Sequence, residues 1–212
     1  MNVVAMTARE VEHEAGGYAK GVAVAIVTEN EDKEGLGRVR VRYPWYEKPN
    51  QSYWARIAVP MAGRKQGTYF LPEKEQEVLV AFEREDIRFP YVLGALWNRP
   101  DGVPTTNDDG KNDHRLIRSR KGHELLFDDG RKGLVQLKLQ DGKKLAIDDD
   151  GIRLDDGAGN SFTVESKSGA LNIKANGRLT IKAAAITLDA SGTLDIKAGA
   201  TLTIRGTLVQ IN

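Results

Sequence analysis

The sequence predicts an all-β protein in which a small closed barrel is followed by a long stack of short strands. Three observations support this prediction. Apolar and polar residues alternate in short segments of the first half, residues 99–115 are polar and rich in turn residues, and apolar pairs recur through the second half. We therefore divide the chain into an N-terminal tail (1–20), a barrel (21–98), a linker (99–115) and a repeat region (116–212).

The barrel prediction rests on five short strand candidates. Residue types alternate strictly in Arg38–Arg42, which places Val39 and Val41 towards a core and the arginines towards the surface. Glycines and prolines separate the candidates, and closing them into a barrel removes exposed sheet edges. The candidates are Val22–Val27, Arg38–Arg42, Tyr53–Val59, Glu77–Phe82 and Tyr91–Leu96.

The tail and the linker lack such patterns. The tail is polar and predicts no more than one helical turn, around Ala8–His13. The linker has two prolines, two Asp-Gly turns and almost no apolar residues. A domain boundary is therefore expected within residues 99–115.

The repeat region carries the most informative pattern. Two apolar residues, two positions apart, recur with steps of 8, 7, 8, 8 and 7 residues between successive pairs. Such a pair lies on one face of a strand, and that face is buried only when neighbouring strands stack beside it. These pairs, the predicted needle core, are Leu171/Ile173, Leu179/Ile181, Ile186/Leu188, Leu194/Ile196, Leu202/Ile204 and Val209/Ile211. Looser pairs upstream are Leu125/Phe127, Leu137/Leu139, Leu145/Ile147, Ile152/Leu154 and Phe162/Val164.

Two kinds of solenoid satisfy this period. A single chain can wind three strands per coil, about 24 residues, or three chains can intertwine and each contribute strands to every coil. The period is compatible with both. The single-chain coil gives only a short core, whereas three chains give about eleven layers per face and a needle about 50 Å long. This difference favours the trimer, a triple-stranded intertwined β-helix.

The C-terminal end of the repeat is expected to need a partner. Small residues such as Ala183–Ala185 and Ala198–Ala200 favour tight corners and a narrow stack towards this end. The last four residues do not form a polar cap over the end of the predicted solenoid. An uncapped solenoid end exposes backbone groups and apolar side chains. We expect another protein to cover this end, through Val209, Gln210, Ile211 and Asn212.

Composition excludes several classes of function. The formal net charge is +1, which argues against a protein devoted to nucleic acid or anionic membranes. Cysteine is absent, so disulfides, thiolate metal sites and cysteine nucleophiles are excluded. No apolar run approaches the roughly 18 residues of a membrane span. No basic and then apolar leader is found, so we expect synthesis in the cytoplasm without a signal peptide.

Several ordered motifs resemble the VgrG/phage baseplate assembly protein V family. Residues 35–45 are similar to its GRVRVRFPW segment, and residues 118–129 (RSRKGHELLFDD) to the start of its β-helix. Glu85 stands where the family usually has glycine. The remaining matches are Ser52–Ala58 with S-x-W-A-R-V, Gly67–Glu73 with G-x-x-F-x-P, Glu77–Phe82 with E-V-L-V-x-F, and Asp86, Arg88, Pro90 and Gly94 with G-D-x-x-R-P-x-V-x-G.

The resemblance implies an OB-fold barrel followed by a trimeric, intertwined β-helix, the central spike of a contractile injection machine. Such machines include phage tails, R-type bacteriocins, extracellular injection systems and type VI secretion. The expected partners are a homotrimer, a baseplate hub protein, a PAAR-type tip protein and, transiently during piercing, the target membrane. Residues 1–20 are too few for the hub domain of full VgrG proteins, and residues 99–115 too few for an inserted muramidase-like domain. The chain thus resembles the short form, assembled into an injection particle, without enzyme activity or cofactor.

Two alternatives stay open at this point. The first is a binding module, in which an OB-fold on a trimeric β-stalk recognises an oligonucleotide or glycan through Trp45, Tyr46, Tyr53, Trp54 and the arginines of 38–42. The second is an envelope-degrading enzyme. Against the first stands the interpretation that Trp54 and Trp97 belong to the barrel core while the arginines contact neighbouring subunits or the hub.

The sequence offers only weak candidates for a metal-binding or catalytic site. Asp148–Gly151 invites a calcium interpretation, but Ala146 would occupy the first ligand position of an EF-hand loop, so a turn between strands is expected. His123 lacks the second histidine of the His-x-His tip motif that the resemblance suggests, so a structural role is expected. Asp128 and Asp129 have no nucleophile or phosphate-binding loop in the sequence pattern around them. No catalytic, cofactor or metal site is therefore predicted.

Overall fold

The computed structural model of the protein describes residues 17–46 and 51–211. Contacts divide the chain into two units, Met1–Lys111 and Asn112–Asn212. The helical turn expected at Ala8–His13 lies outside the described residues. Among the described residues, no helix has the length and apolar character needed to cross a membrane.

The described residues of the first unit form seven short strands. Strands β1, β2, β3, β6 and β7 form one sheet in the order β2-β1-β6-β7-β3, and β4 and β5 form a separate hairpin. Glu83–Glu85 form a short 3₁₀ turn between β6 and β7. The strands are β1 (Val22–Glu29), β2 (Arg40–Arg42), β3 (Arg56–Ile57), β4 (Ala62–Gly63), β5 (Gln66–Gly67), β6 (Glu77–Phe82) and β7 (Pro90–Ala95).

The five-stranded sheet curls until its two edge strands meet. Strand β3 runs parallel to β7, and the other pairs in the sheet are antiparallel. Next to the edge strands, Val39 and Ala55 exchange two backbone hydrogen bonds, of 3.0 and 2.7 Å. The N–H of Ser52 also donates to the carbonyl of Val41 at 2.9 Å. These bonds close the strand ring, and the five-stranded closed arrangement is that of an OB fold.

The fully buried side chains of the barrel core are alanine and valine, and Tyr43 and Ile87 also belong to the buried cluster. Val39 and Val41 are fully buried while Arg42 is exposed, so the inward direction predicted from the alternation is confirmed. The other fully buried core residues are Ala25, Val27, Ala55, Val78, Val80 and Val92.

The placement of two tryptophans in this core was wrong. Trp97 is 74% exposed, and Trp54 lies half-buried outside the core cluster with Arg40 over its ring. Alanine, valine and the ring of Tyr43 already fill the narrow interior of this five-stranded barrel, so these two indoles lie outside it. Trp45 instead packs against the core from its edge, and its Nε1 donates to the carbonyl of Val24 at 3.0 Å.

Residues 17–20 of the predicted tail pair with the barrel. Tyr18 forms a bridge with Asp86, and the N–H of Ala19 donates to the carbonyl of Glu85 at 2.7 Å. Ala19 is buried in the core cluster. Within the described residues, the barrel therefore includes Gly17 to Lys20, four residues before its predicted start.

The second unit is an antiparallel meander of seven strands in the order β14-β13-β12-β11-β10-β9-β8. Strand β8 starts two residues before the predicted start of the repeat region. Each strand pairs with its neighbour in sequence, whereas a single-chain coil would pair each strand with the third one along. The strands are β8 (His114–Arg118), β9 (Glu124–Asp128), β10 (Leu134–Lys138), β11 (Lys144–Asp148), β12 (Gly151–Asp155), β13 (Ser161–Glu165) and β14 (Leu171–Lys174).

The tightest turn of this meander connects β11 to β12 through Asp149 and Asp150. One carboxylate oxygen of Asp148 accepts the backbone N–H groups of Asp150 and Gly151, at 2.9 and 3.1 Å. Gly151 has φ of 144°, and a Cβ at this position would collide with the carbonyl oxygen of Val164. Asp148–Gly151 is thus the strand-connecting turn that the sequence predicted.

Beyond β14 the single chain forms no strand within the described residues 175–211. Asn176 is still bonded to the meander, since its N–H donates to Asn160 Oδ1 at 2.8 Å. No such strand pairing continues further along the described chain. The β-helix predicted for this segment stays a prediction.

The predicted needle-core residues of this segment are not buried within one chain. Ile181, Leu188 and Ile204 were expected to face a core, yet they are 67%, 66% and 64% exposed. The physical reason is that a strand buries its apolar face only against neighbouring strands, and the described part of one chain supplies none here. The exposed residues are Leu179, Ile181, Ile186, Leu188, Leu194, Ile196, Leu202, Ile204, Val209 and Ile211.

Candidate assembly surface

One face of the meander carries two apolar columns that cross all seven strands. Each column follows the cross-strand partners from β8 to β14, which lie directly opposite each other. We call these residues together the apolar face. The first column is Ile117, Leu125, Leu137, Leu145, Leu154, Phe162 and Ile173. The second begins with one charged residue and is Arg115, Phe127, Val135, Ile147, Ile152, Val164 and Leu171.

The apolar face is open to solvent in the single chain. Its side chains are between 38% exposed, at Leu145, and 58% exposed, at Leu171, for ten of its residues. Six strand spacings make the face about 29 Å long. A continuous apolar surface of this size is typical of a protein interface.

One predicted pair is wrong. Leu139 lies in neither column, because it follows the last residue of β10, where the chain turns to β11. Its N–H donates to the carbonyl of Lys143 at 2.8 Å. The apolar pair of β10 is instead Val135/Leu137. The other upstream pairs lie on the apolar face, as does Leu171/Ile173 of the predicted needle core.

The opposite side of the meander and the turns between its strands carry ion pairs, beginning with Arg118 and Glu124 of β8 and β9. Arg153 forms an ion pair with Asp148, and Lys132 and Lys167 contact Asp150 at 3.0 and 2.8 Å. Hydrogen bonds from the ammonium groups of Lys167 and Lys132 lower the pKa of Asp150 to about 2. The sheet thus has one apolar and one charged face, as expected when only one face is covered.

The arginines on the outside of β2 and before it are paired with carboxylates. Arg38 forms a bidentate bond with Asp32, at 2.8 and 2.9 Å. Arg40 lies 3.7 Å from Glu29, and Arg42 lies 3.1 Å from Glu75. These carboxylates offset the guanidinium charges, which makes the described part of this surface less suited to an oligonucleotide backbone than an unpaired basic groove.

The candidate acid–base residues are not brought together. His123 accepts the N–H of Gln140 through Nδ1 at 3.3 Å. Asp128 accepts the N–H of Gly130 at 2.8 Å, and Asp129 pairs with Arg115 at 2.7 Å. In the part of the chain that the structure describes, no cluster of three or more His, Asp or Glu residues could hold a metal ion.

The fold and its exposed surface define a class of protein, an OB barrel followed in the chain by a sheet with one exposed apolar face. The family described as the type VI secretion system/phage-baseplate injector OB domain matches residues 23–97. This match covers the closed barrel from β1 to the end of β7. The barrel of this chain is therefore similar to the OB domain of type VI secretion and phage-baseplate injectors.

Curated spike proteins are similar to parts of the chain. The type VI secretion system spike protein VgrG3 of Vibrio cholerae is 31% identical over 114 residues, 50% of this chain and 11% of that protein. VgrG1a of Pseudomonas aeruginosa is 33% identical over 72 residues, 32% of this chain and 11% of that protein. VgrG5 of the same organism is 28% identical over 130 residues, 50% of this chain and 16% of that protein. The chain therefore matches only a small part of each relative.

Proposed function

We propose that this chain is the structural central spike of a contractile injection machine, a homotrimer that docks on the baseplate hub and pierces the target envelope. The observation that carries the proposal is the apolar face, which is continuous across the meander and exposed in the single chain. The similarity to proteins named as type VI secretion spikes supports the same role. The function is mechanical and requires no catalytic group.

Three copies of the apolar face can cover one another around a common axis. Each sheet then forms one side of a three-sided prism, with the two columns inside and the charged face outside. Completing the burial of half-exposed Leu, Ile, Val and Phe side chains contributes about 1 kcal/mol for each. Ten such residues per chain make the trimer far more stable than its separated chains.

The remaining needle-core pairs support intertwining beyond β14. Residues 175–211 keep the apolar pairs but find no strand partner within the described part of the single chain. Backbone N–H and C=O groups of strands need partners, and neighbouring chains are the available source. In this arrangement each chain contributes strands to every layer between Leu179 and Ile211, and exposed residues such as Ile181, Leu188 and Ile204 become buried at the axis.

The two ends of the trimer face different partners. The barrels dock on the hub, and Val209, Gln210, Ile211 and Asn212 meet a small tip protein of the PAAR type. Asn212 lies outside the described residues, while Ile211 is strongly exposed in the single chain. The target membrane is contacted only during piercing.

The experiment that tests this proposal is the solution mass of the full chain by light scattering, at two concentrations. We expect about 70 kDa at both, three times the 23.3 kDa of one chain. The mass of a monomer would overturn the trimeric spike and would make the OB-fold binding module the favoured function. Electron microscopy of the same sample should show a needle that projects from a wider head.

A further inference from the structure

The barrel carries two exposed apolar patches at opposite ends of the parallel strand pair β3–β7. The aromatic knob, formed by Tyr53 and Phe89, lies where both strands begin, since the N–H of Tyr53 donates to the carbonyl of Arg88. The apolar pocket, lined by Leu36, Ile57, Met61, Tyr69 and Phe70, lies where β3 ends. Neither patch belongs to the apolar face of the meander.

The knob is a rigid projection. The rings of Tyr53 and Phe89 stack at 5.1 Å with an interplanar angle of 15°, and they are 58% and 44% exposed. The guanidinium of Arg88 lies 5.7 Å from the Phe89 ring centre and is itself held by two oxygens of Asp86. Stacking and ion pairing fix the two rings before any partner arrives, which lowers the entropy cost of docking.

The pocket is a preformed hollow of about 540 Å³ between the loop before β2 and the β4–β5 hairpin. Its side chains Leu36, Met61, Tyr69 and Phe70 remain more than half exposed. Glycine shapes one wall, because a Cβ at Gly67 would lie 2.6 Å from the carbonyl oxygen of Met61. A hollow of this size and apolar character accepts aromatic side chains.

The charges around the two patches are complementary. The tip of the β4–β5 hairpin carries Arg64 and Lys65, which have no ion-pair partner among the described residues. The turn behind the knob carries three carboxylates and two guanidinium groups, a net charge of −1. These are Glu83, Glu85 and Asp86 with Arg84 and Arg88.

We propose that the aromatic knob of one copy enters the apolar pocket of the next copy, with Lys65 near Glu85. Because the two patches lie at opposite ends of one strand pair, the contact is head-to-tail, and three such contacts close a ring. This inference rests on the trimer proposed above and adds a second set of subunit contacts, between barrels.

The absence of cysteine makes a cross-linking test direct. In the full chain carrying Tyr53→Cys and Met61→Cys, mild oxidation should produce covalent dimers and trimers on a non-reducing gel. Each single variant should stay monomeric on that gel, because a head-to-tail contact never brings identical positions together. A matched control replaces Tyr53→Cys by Lys74→Cys, an exposed position in neither patch, and should give no covalent trimer.

Charge reversal provides the second measurement. Within the double-cysteine chain, Lys65→Glu should lower the trimer yield several-fold, and adding Glu85→Lys should restore it. Cross-linked dimers from a single variant would overturn the head-to-tail contact in favour of a two-fold one. A trimer by light scattering without cross-links would overturn this inference and leave the spike proposal intact, whereas a monomer by light scattering overturns the spike proposal itself.

Discussion

At the scale of single residues, short side chains and ion pairs fix the local geometry of both units. Asp148 holds the tight turn before β12, and Asp32 holds Arg38 against the outside of the barrel. In both cases a carboxylate accepts backbone N–H groups and a guanidinium together. The stability that such carboxylates contribute should therefore change with single substitutions and with pH.

Gly151→Ala should destabilise the meander. The new Cβ would meet the carbonyl oxygen of Val164 on the neighbouring strand, at a φ of 144° that side chains rarely adopt. We expect a loss of about 2 kcal/mol or more in the free energy of unfolding, measured by chemical denaturation. Gly177→Ala is the matched control, because a Cβ there meets nothing within 4 Å. Equal stability of both variants would contradict the turn geometry.

Asp32 should make barrel stability depend on pH in the acid range. Hydrogen bonds from Arg38 hold the pKa of this carboxyl well below its usual 3.8. A lowered pKa stabilises the fold above the unfolded value, and this contribution is lost as pH falls through the folded value. Asp32→Asn should therefore be less stable than the natural chain at pH 7, with a difference that shrinks below about pH 4.

The measurement is thermal unfolding of the Asp32→Asn variant and of the natural chain between pH 2 and 7. Glu31→Gln, which removes an exposed neighbouring carboxylate, serves as the control and should show little difference at any pH. A difference between Asp32→Asn and the natural chain that stays constant down to pH 2 would contradict the role of the ion pair.

At the scale of elements, periodicity predicted the strands well where one face is buried. The bounds of β6 match the prediction, and β1 and β7 differ from it by one or two residues. The hairpin β4–β5 was not predicted, because its two-residue strands are too short to alternate. The pocket beside it was missed for the same reason, since Met61 and Phe70 meet only after the chain folds.

The error at Leu139 shows a second limit of the pattern. Val135, Leu137 and Leu139 are equally spaced, so spacing alone gives two possible pairs. The turn between β10 and β11 decides between them through the hydrogen bond from Leu139 to Lys143. Which residue starts a turn depends on cross-strand pairing, and a single strand does not contain that information.

This choice of register has a testable consequence for assembly. Val135→Asp places a carboxylate on the apolar face, where its burial against other copies would cost several kcal/mol. Leu139→Asp places the same group in a turn. We expect Val135→Asp to prevent trimer formation in light scattering and Leu139→Asp to leave the trimer intact. The opposite result would restore the Leu137/Leu139 pair and contradict the register.

At the scale of the whole molecule, the proposed spike needs resistance to compression more than any chemical group. Strands stacked at about 4.8 Å share their backbone hydrogen bonds with both neighbours, so bending breaks many bonds at once. In the single chain this holds only as far as β14. In the proposed spike, stiffness from Leu179 to Ile211 therefore depends on strand pairing between chains, and the test must be made in that segment.

Ile196→Asp tests that segment. Three copies of the carboxylate would face the common axis and lie close together, and burying unpaired like charges is strongly unfavourable. We expect the variant to lose heat resistance and to dissociate, or to fray beyond Leu179 while the apolar face holds the rest together. Thermal unfolding, light scattering and limited proteolysis distinguish these two results.

The control is Thr193→Asp, on the other side of the same predicted strand, which should change neither the heat resistance, nor the mass, nor the protease resistance. If Ile196→Asp is as stable and as protease-resistant as Thr193→Asp, the side chain of Ile196 does not face the axis, and the intertwined needle core must be rejected for this part of the chain.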